Sequence, residues 1–209
     1  MRGSSINIQL ASRYSDFMMP LEGIRVLDLS RILAGPHAAQ SLSDLGADVI
    51  KVEAPWGDDS RTWGPPFQKG FDGAEVASYF LSCNRGKKIV FANLKNERER
   101  VRSLMDTVDV VIENFKPGAF DRLLGPVNAD LIVCSISGYG QEGPRRDESA
   151  FDLTMQARSG IMSVTGEEGG PPAKVGVAWI DVMTGMKAVS SILACLLRRD
   201  RGGGGARID

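Results

Sequence analysis

The chain has 209 residues, and its 25 Lys plus Arg nearly balance 26 Asp plus Glu, for a formal net charge of −1. That length buries a sizeable core, as one large domain or two small ones. A balance so close to zero gives no global field to draw in nucleic acid or an anionic membrane, so no partner of either kind is expected and any polyanion has to be met by a local cluster.

Residues 1–19 carry Arg2, Arg13, four serines and the single acid Asp16, a composition that fits a cleaved mitochondrial presequence and a disordered tail equally. From residue 20 the pattern alternates strand and helix. Residues 24–29 (IRVLDL) read as a buried strand, SRILAGP as a turn, 37–45 as a helix closed by Gly46, and 47–52 (ADVIKV) as a second strand ending at Glu53. Strand, helix and strand joined this closely predict a right-handed βαβ unit in a parallel sheet. Residues 54–73 form a loop rich in Pro, Gly and Trp, too long and too aromatic for a mere connector, and expected to lie over a site or an interface. Further on, 88–94 is strand-like, 96–108 a charged helix opened by Asn96, 110–113 a strand, 117–124 a short helix with Pro117 near its start, and 131–137 a strand. A helix is expected from Phe151 and Asp152 to Met162, and a largely apolar one over 182–197. Thr184, Lys187 and two serines interrupt the latter, so no segment is expected to span a bilayer. The fold class is α/β, a doubly wound, Rossmann-like parallel sheet.

Several clusters carry chemistry. Asp181 follows a short apolar run at the start of the last helix, where free backbone N–H groups and the helix dipole favour an ionised carboxylate. It reads as a plain N-cap or as a carboxylate nucleophile. Asp152 is a second acid at a helix start, with the same two readings. Arg85, Lys87 and Lys88, with Lys95 and Arg122, are either solvated ends of elements or partners for the phosphates of a nucleotide-like ligand. SGYGQEG (137–143) follows a strand at the end where open α/β sheets hold ligands. The first turn offers only Gly35 and then Pro36 in place of GxGxxG, which speaks against a dinucleotide. Cys83, Cys134 and Cys195 lie far apart without a CxxC pair and read as reduced thiols of an intracellular protein. His37 is the single histidine, so neither a Ser-His-Asp triad nor a metal site is expected.

PLEGIRVLDLSRILAGP, LGADVIKVEAP with GDDSRTWGPPF, SCNRGKK, DVVIENFKPG, SISGYGQEGP and VGVAWIDVMTG, in this order, resemble the class III CoA-transferase family, which includes formyl-CoA and carnitine CoA-transferases and acyl-CoA racemases. The resemblance runs from about residue 20 to the end and is nearest the branch that moves CoA between succinyl-CoA and glutarate. It implies that residues 20–209 belong to a CoA-transferase large domain without the small domain. It also implies that Asp181, in the motif before TG, is the nucleophile, and that Asp152, 29 residues earlier, is the second acid. Coenzyme A, entering as acyl-CoA, is implied to bind at Leu33 and Ala34, at Ala92, Asn93, Leu94 and Lys95, at Asn114 and Phe115, and at Arg122. Racemases of the family carry a histidine just before the second acid, to take an α-proton near neutral pH. Phe151 stands there, so transfer to a carboxylate acceptor is favoured over racemisation. The implied mechanism passes through an aspartyl anhydride and an aspartyl-CoA thioester. Family members form interlocked homodimers and run to about twice this length. The segment between Arg122 and Asp130 is shorter than usual for the family, and Ala54 replaces a frequent basic residue. The alternative expectation is therefore a truncated, silent homologue that binds CoA at most.

Overall fold

The computed structural model describes residues 18–70 and 73–209. The leader expected over 1–19 lies outside the described residues, apart from the exposed Met18 and Met19. In chain order the elements are β1 (Arg25–Asp28), α1 (Ala34–Asp44), β2 (Asp48–Glu53), β3 (Phe67–Lys69), β4 (Glu75–Ala77), α2 (Ser78–Ser82), β5 (Lys88–Phe91), α3 (Arg98–Met105), β6 (Val110–Glu113), α4 (Ala119–Leu124), β7 (Ile132–Ser135), α5 (Asp152–Arg158), α6 (Trp179–Arg198) and β8 (Ala206–Ile208). Six of the strands form one parallel sheet in the order β5-β2-β1-β6-β7-β8. The winding direction reverses between β1 and β6, the position where such sheets open a crevice at their carboxyl ends.

Alternation along the strands divides the core in two. Val26, Val49, Val110, Ile112, Ile132 and Cys134 point to one face, where Ala38, Ala39 and Leu42 of α1 and Ala188, Ile192 and Leu196 of α6 cover them. Leu27, Ile50, Val52, Val111 and Val133 point to the other, against Val101 and Met105 of α3 and Phe120 and Leu124 of α4. With both faces buried, the strands read as near-continuous apolar runs, which is why they were legible. The doubly wound α/β class is what the chain adopts.

Boundaries moved where local chemistry overrode periodicity. Helix α1 begins at Ala34, three residues before the expected His37, with Gly35 and Pro36 inside its first turn. Proline is tolerated there because its missing N–H would have no helical partner. Gly35 is required, since a Cβ would collide with the Ser30 side chain. Helix α3 starts at Arg98 after Glu97 rather than at Asn96, and α4 starts after Gly118, whose φ of 71° turns the chain beyond Pro117. The expected 54–73 loop holds a 3-10 turn at Asp59–Thr62 and strand β3, which pairs antiparallel with β4. The α5 helix stops at Arg158, short of Met162.

The largest revision concerns α6. Among the described residues, one helix, Trp179–Gly203, is long and apolar enough to cross a membrane by length and composition, contrary to the expectation from its polar interruptions. Asp181 and Lys187 are the two charged residues in its first nineteen, too few to bring its mean hydropathy below that of a spanning helix. In the fold this helix packs on α1 and the sheet through Gly185, Ala188, Ile192 and Leu196. A Cβ on Gly185 would lie 2.8 Å from the Ala34 carbonyl and 2.9 Å from His37 Nδ1, so glycine permits the close approach of the two helices.

Candidate active site

The carboxyl edge of the sheet is fixed by a buried ion network. The parallel register sets Asp28 opposite Lys51, and both side chains are fully buried. Lys51 Nζ lies 3.1 Å from Asp58 and 3.9 Å from Asp28, and donates to the Ser30 carbonyl at 2.7 Å. Lys87 Nζ donates at 2.8 Å each to Asp28, to the Pro36 carbonyl and to Asn84. Glu53 receives Arg61 in a two-point pair at 2.7 and 2.9 Å. Burial alone would raise the Asp28 carboxyl, but Lys87 and Lys51 outweigh it and hold it below the usual range. For Lys51 burial works downward, and Asp28 and Asp58 hold it above. The sequence signal for this network was an acid in IRVLDL and a base in ADVIKV at matching strand positions, and it was not read. The solvated reading of the basic knot also fails at Lys87, which is fully buried. It holds for Arg85 and Lys88, which pair at the surface with Asp44 and Asp48.

Most of the residues implied for CoA follow the carboxyl ends of β1, β5 and β6, while Arg122 lies apart on α4. Leu33 and Ala34 sit where α1 begins, with both side chains buried, so what they present to a ligand is backbone. Ala92 to Lys95 form the turn after β5, where Asn93 Oδ1 accepts from the Lys95 N–H at 3.0 Å. Asn114, just past β6, grips the backbone of Arg31 from across the crevice. Its Oδ1 accepts from the Arg31 N–H at 3.0 Å and its Nδ2 donates to the Arg31 carbonyl at 2.9 Å. Phe115 packs into the core on the α3 and α4 side, and its N–H donates to Glu113 at 2.7 Å. Arg122 is exposed on α4, beside a cleft of about 260 Å³ that Arg98 and Arg102 also line. Among the described residues, no ion pair engages the side chains of Lys95 or Arg122.

Asp152 and Asp181 meet at the start of α6. Asp181 is not the N-cap, since Ala178 holds that position and Asp181 is the third helical residue. The capping carboxylate comes from another helix. Asp152, first residue of α5, accepts the Ile180 N–H at 2.8 Å and the Asp181 N–H at 3.4 Å on Oδ1. Its Oδ2 accepts from Gln156 Nε2 at 2.6 Å. The buried Gln156 also donates to the Val177 carbonyl and accepts from the Val175 N–H, tying the approach strand to α5. Both Asp152 oxygens are thus engaged in holding the helix start. Asp181 is left half-buried, and among the described residues no hydrogen bond or ion pair engages its carboxylate. Burial first, and the Asp152 charge second, push it up from 3.8 to about 6. Tyr79 of α2 feels the same charge: burial and then Asp181 push its phenol up to about 12. Gly185, one turn beyond Asp181, lies against Ala34, so the packing of α6 on α1 brings the helix start that carries Asp181 toward the turn that opens α1. Phe151, where a racemase base would stand, is exposed.

A doubly wound sheet that carries a half-buried carboxylate on a covering helix has the architecture in which α/β proteins hold ligands at the carboxyl ends of their strands. The chain belongs to CoA-transferase family III, whose model matches residues 21–209. It is similar to a succinate–glutarate CoA-transferase of Agrobacterium fabrum, at 49% identity over 200 residues, covering 91% of this chain and 50% of that protein. A succinyl-CoA:glutarate CoA-transferase of Mus musculus matches at 47% identity, covering 93% of this chain and 45% of the relative. Among solved structures, a CAIB/BAIF family protein from Brucella suis superposes with a TM-score of 0.88 at 48% identity, covering 91% of this chain and 52% of that one. The chain therefore spans about half the length of the relatives it matches.

Proposed function

We propose that the chain carries the nucleophile and the CoA-binding edge of a CoA-transferase that moves CoA from succinyl-CoA to a dicarboxylate such as glutarate. The observation that carries this reading is Asp181, a carboxylate freed from capping by Asp152 on a helix that packs, at Gly185, against the turn that opens α1. With its carboxyl raised to about 6, Asp181 is mostly ionised at neutral pH and more basic than an exposed aspartate, as nucleophilic attack requires. Asp181 attacks the donor thioester carbonyl, forming a mixed anhydride and expelling the CoA thiolate. The thiolate takes the aspartyl carbonyl, which releases succinate and leaves an aspartyl-CoA thioester. The acceptor carboxylate attacks that thioester, and the thiolate returns to the acyl side of the resulting anhydride, freeing Asp181. Each step exchanges one activated acyl for another, so no ATP is consumed. Leu33 and Ala34 offer α1's first N–H groups to the pyrophosphate, and Lys95 and Arg122 supply cations that no ion pair engages among the described residues. Asp152 acts here as the residue that positions Asp181 rather than as a second reacting acid.

The test is incubation of the chain with succinyl-CoA and glutarate, with separation of the thioesters by liquid chromatography and mass spectrometry. Glutaryl-CoA and succinate in equal amounts support transfer. A second reading, a CoA-binding module without transfer, is favoured by the exposed Trp179, Met183 and Met186 beside Asp181. Asp181 is only half-buried, and an anhydride open to water hydrolyses. Succinate release without glutaryl-CoA, or CoA binding with neither product, supports that reading.

A further inference from the structure

The turn that leads into α1 is held by side chains from four separate segments. Among the described residues, Ser30, Arg31 and Ile32 make no backbone–backbone hydrogen bond outside regular elements. Ser30 is instead tied to Asp28 and Lys51, and Arg31 to Asn114. Ile32 is the single non-glycine described residue with positive φ, at 73°. A β-branched side chain is strained there and persists only where its surroundings impose it. Two contacts impose it. The Ile32 N–H is shared between the two oxygens of Asp58 at 3.4 and 3.3 Å, and its carbonyl accepts a weak bond from Cys83 Sγ at 3.5 Å.

Asp58 is itself immobilised. Its side chain is buried, it accepts from the Ser60 N–H at 3.0 Å and the Ser60 hydroxyl at 2.7 Å, and Lys51 sits 3.1 Å away. Its own N–H donates to Glu53 at 3.0 Å, and Glu53 is clamped by Arg61. We propose that Asp58 is a positioning residue for CoA: held by Lys51 and Ser60, it keeps Ile32 in the left-handed conformation and so presets the Leu33–Ala34 turn against which CoA binds. The role of that turn rests on the function proposed above. The hold of Asp58 on Ile32 does not.

The experiment uses the full chain, its Asp58→Asn, Ile32→Gly and Asp58→Asn/Ile32→Gly variants, and two readouts: amide hydrogen exchange at Ile32, and calorimetric titration with CoA. In Asp58→Asn the amide that replaces Oδ2 faces both Lys51 and the Ile32 N–H, donor against donor. The Ile32 amide is expected to exchange at least about tenfold faster and CoA to bind about tenfold more weakly, the worth of one strained left-handed residue. Glycine adopts φ of +73° freely. The double variant is therefore expected to regain CoA affinity to within about threefold of wild type while its residue-32 amide still exchanges fast. A role in stability alone does not predict that rescue. Unchanged exchange in Asp58→Asn overturns the proposal, as does a double variant that binds CoA no better than Asp58→Asn. If the wild-type chain binds no CoA, the functional reading fails, and exchange alone then decides whether Asp58 holds the turn. If Asp58→Asn does not fold, Ile32→Gly decides. A thermal midpoint unchanged or raised supports the strain, and a fall like that of an ordinary half-buried isoleucine overturns it.

Discussion

Replacing Asp181 by Asn is expected to stabilise the protein at neutral pH. The fold raises this carboxyl from 3.8 to about 6, through burial and the Asp152 charge, so the native state disfavours the ionised form relative to the unfolded chain. Two pH units at about 1.4 kcal/mol each give about 3 kcal/mol. Asp181 is only half-buried and solvent screens part of that, leaving about 1–2 kcal/mol. Below pH 3.8 the carboxyl is neutral in both states and the difference vanishes. Between 3.8 and about 6 the native state binds more protons than the unfolded one, so wild-type stability from this group falls as pH rises. Above about 6 the deficit is constant. Asn does not ionise, so urea unfolding of both proteins from pH 4 to 8 is expected to show a gain in Asp181→Asn of about 1–2 kcal/mol at pH 7.5, shrinking toward zero at about pH 4. Other titrating groups are common to both proteins and cancel. Equal or lower stability of the variant at pH 7.5 refutes the reasoning. So does a gain as large at pH 4 as at 7.5, which places its origin in packing rather than charge.

Asp152→Ala is expected to lose about 1–2 kcal/mol in denaturant melts, because the Ile180 and Asp181 N–H groups lose their cap, and the pH profile of any transfer activity is expected to shift down as the Asp152 charge leaves Asp181. Lys51→Met strands Asp28 and Asp58 in the interior, and a loss of about 3–5 kcal/mol in equilibrium unfolding is expected. Arg122→Ala is expected to leave the thermal midpoint unchanged, since the side chain is exposed and unpaired among the described residues, while weakening CoA binding in a calorimetric titration about tenfold.

The sheet was legible because a doubly wound fold buries its strands on both faces, leaving runs such as VVIE and LIVCS between amphipathic helices. Helix starts were less so. Periodicity places a helix where its apolar face begins, but α1 begins at Ala34 because Pro36 needs no partner for a missing N–H, and α6 begins at Trp179 because a carboxylate from α5 reaches its first N–H groups. That cap lies 28 residues away in sequence, and no local pattern announces it. Asp152 and Asp181 each stood out in the sequence as an acid at a helix start, and their pairing was implied by the family resemblance. What spacing did not reveal was the division of labour, in which one acid caps the helix that carries the other. The ion network was missed for a related reason. A lysine inside an apolar strand reads as an interruption until the parallel register sets Lys51 beside Asp28.

The account rests on Asp181 becoming covalently acylated. The 209-residue chain incubated with succinyl-CoA, quenched with hydroxylamine and digested, is predicted to yield the peptide containing Asp181 as its hydroxamate, with the same peptide unmodified when CoA alone is supplied and the corresponding peptide of Asp181→Asn unmodified throughout. A folded chain that binds CoA yet shows an unmodified Asp181 peptide after succinyl-CoA, or a hydroxamate on Asp152 instead, contradicts it.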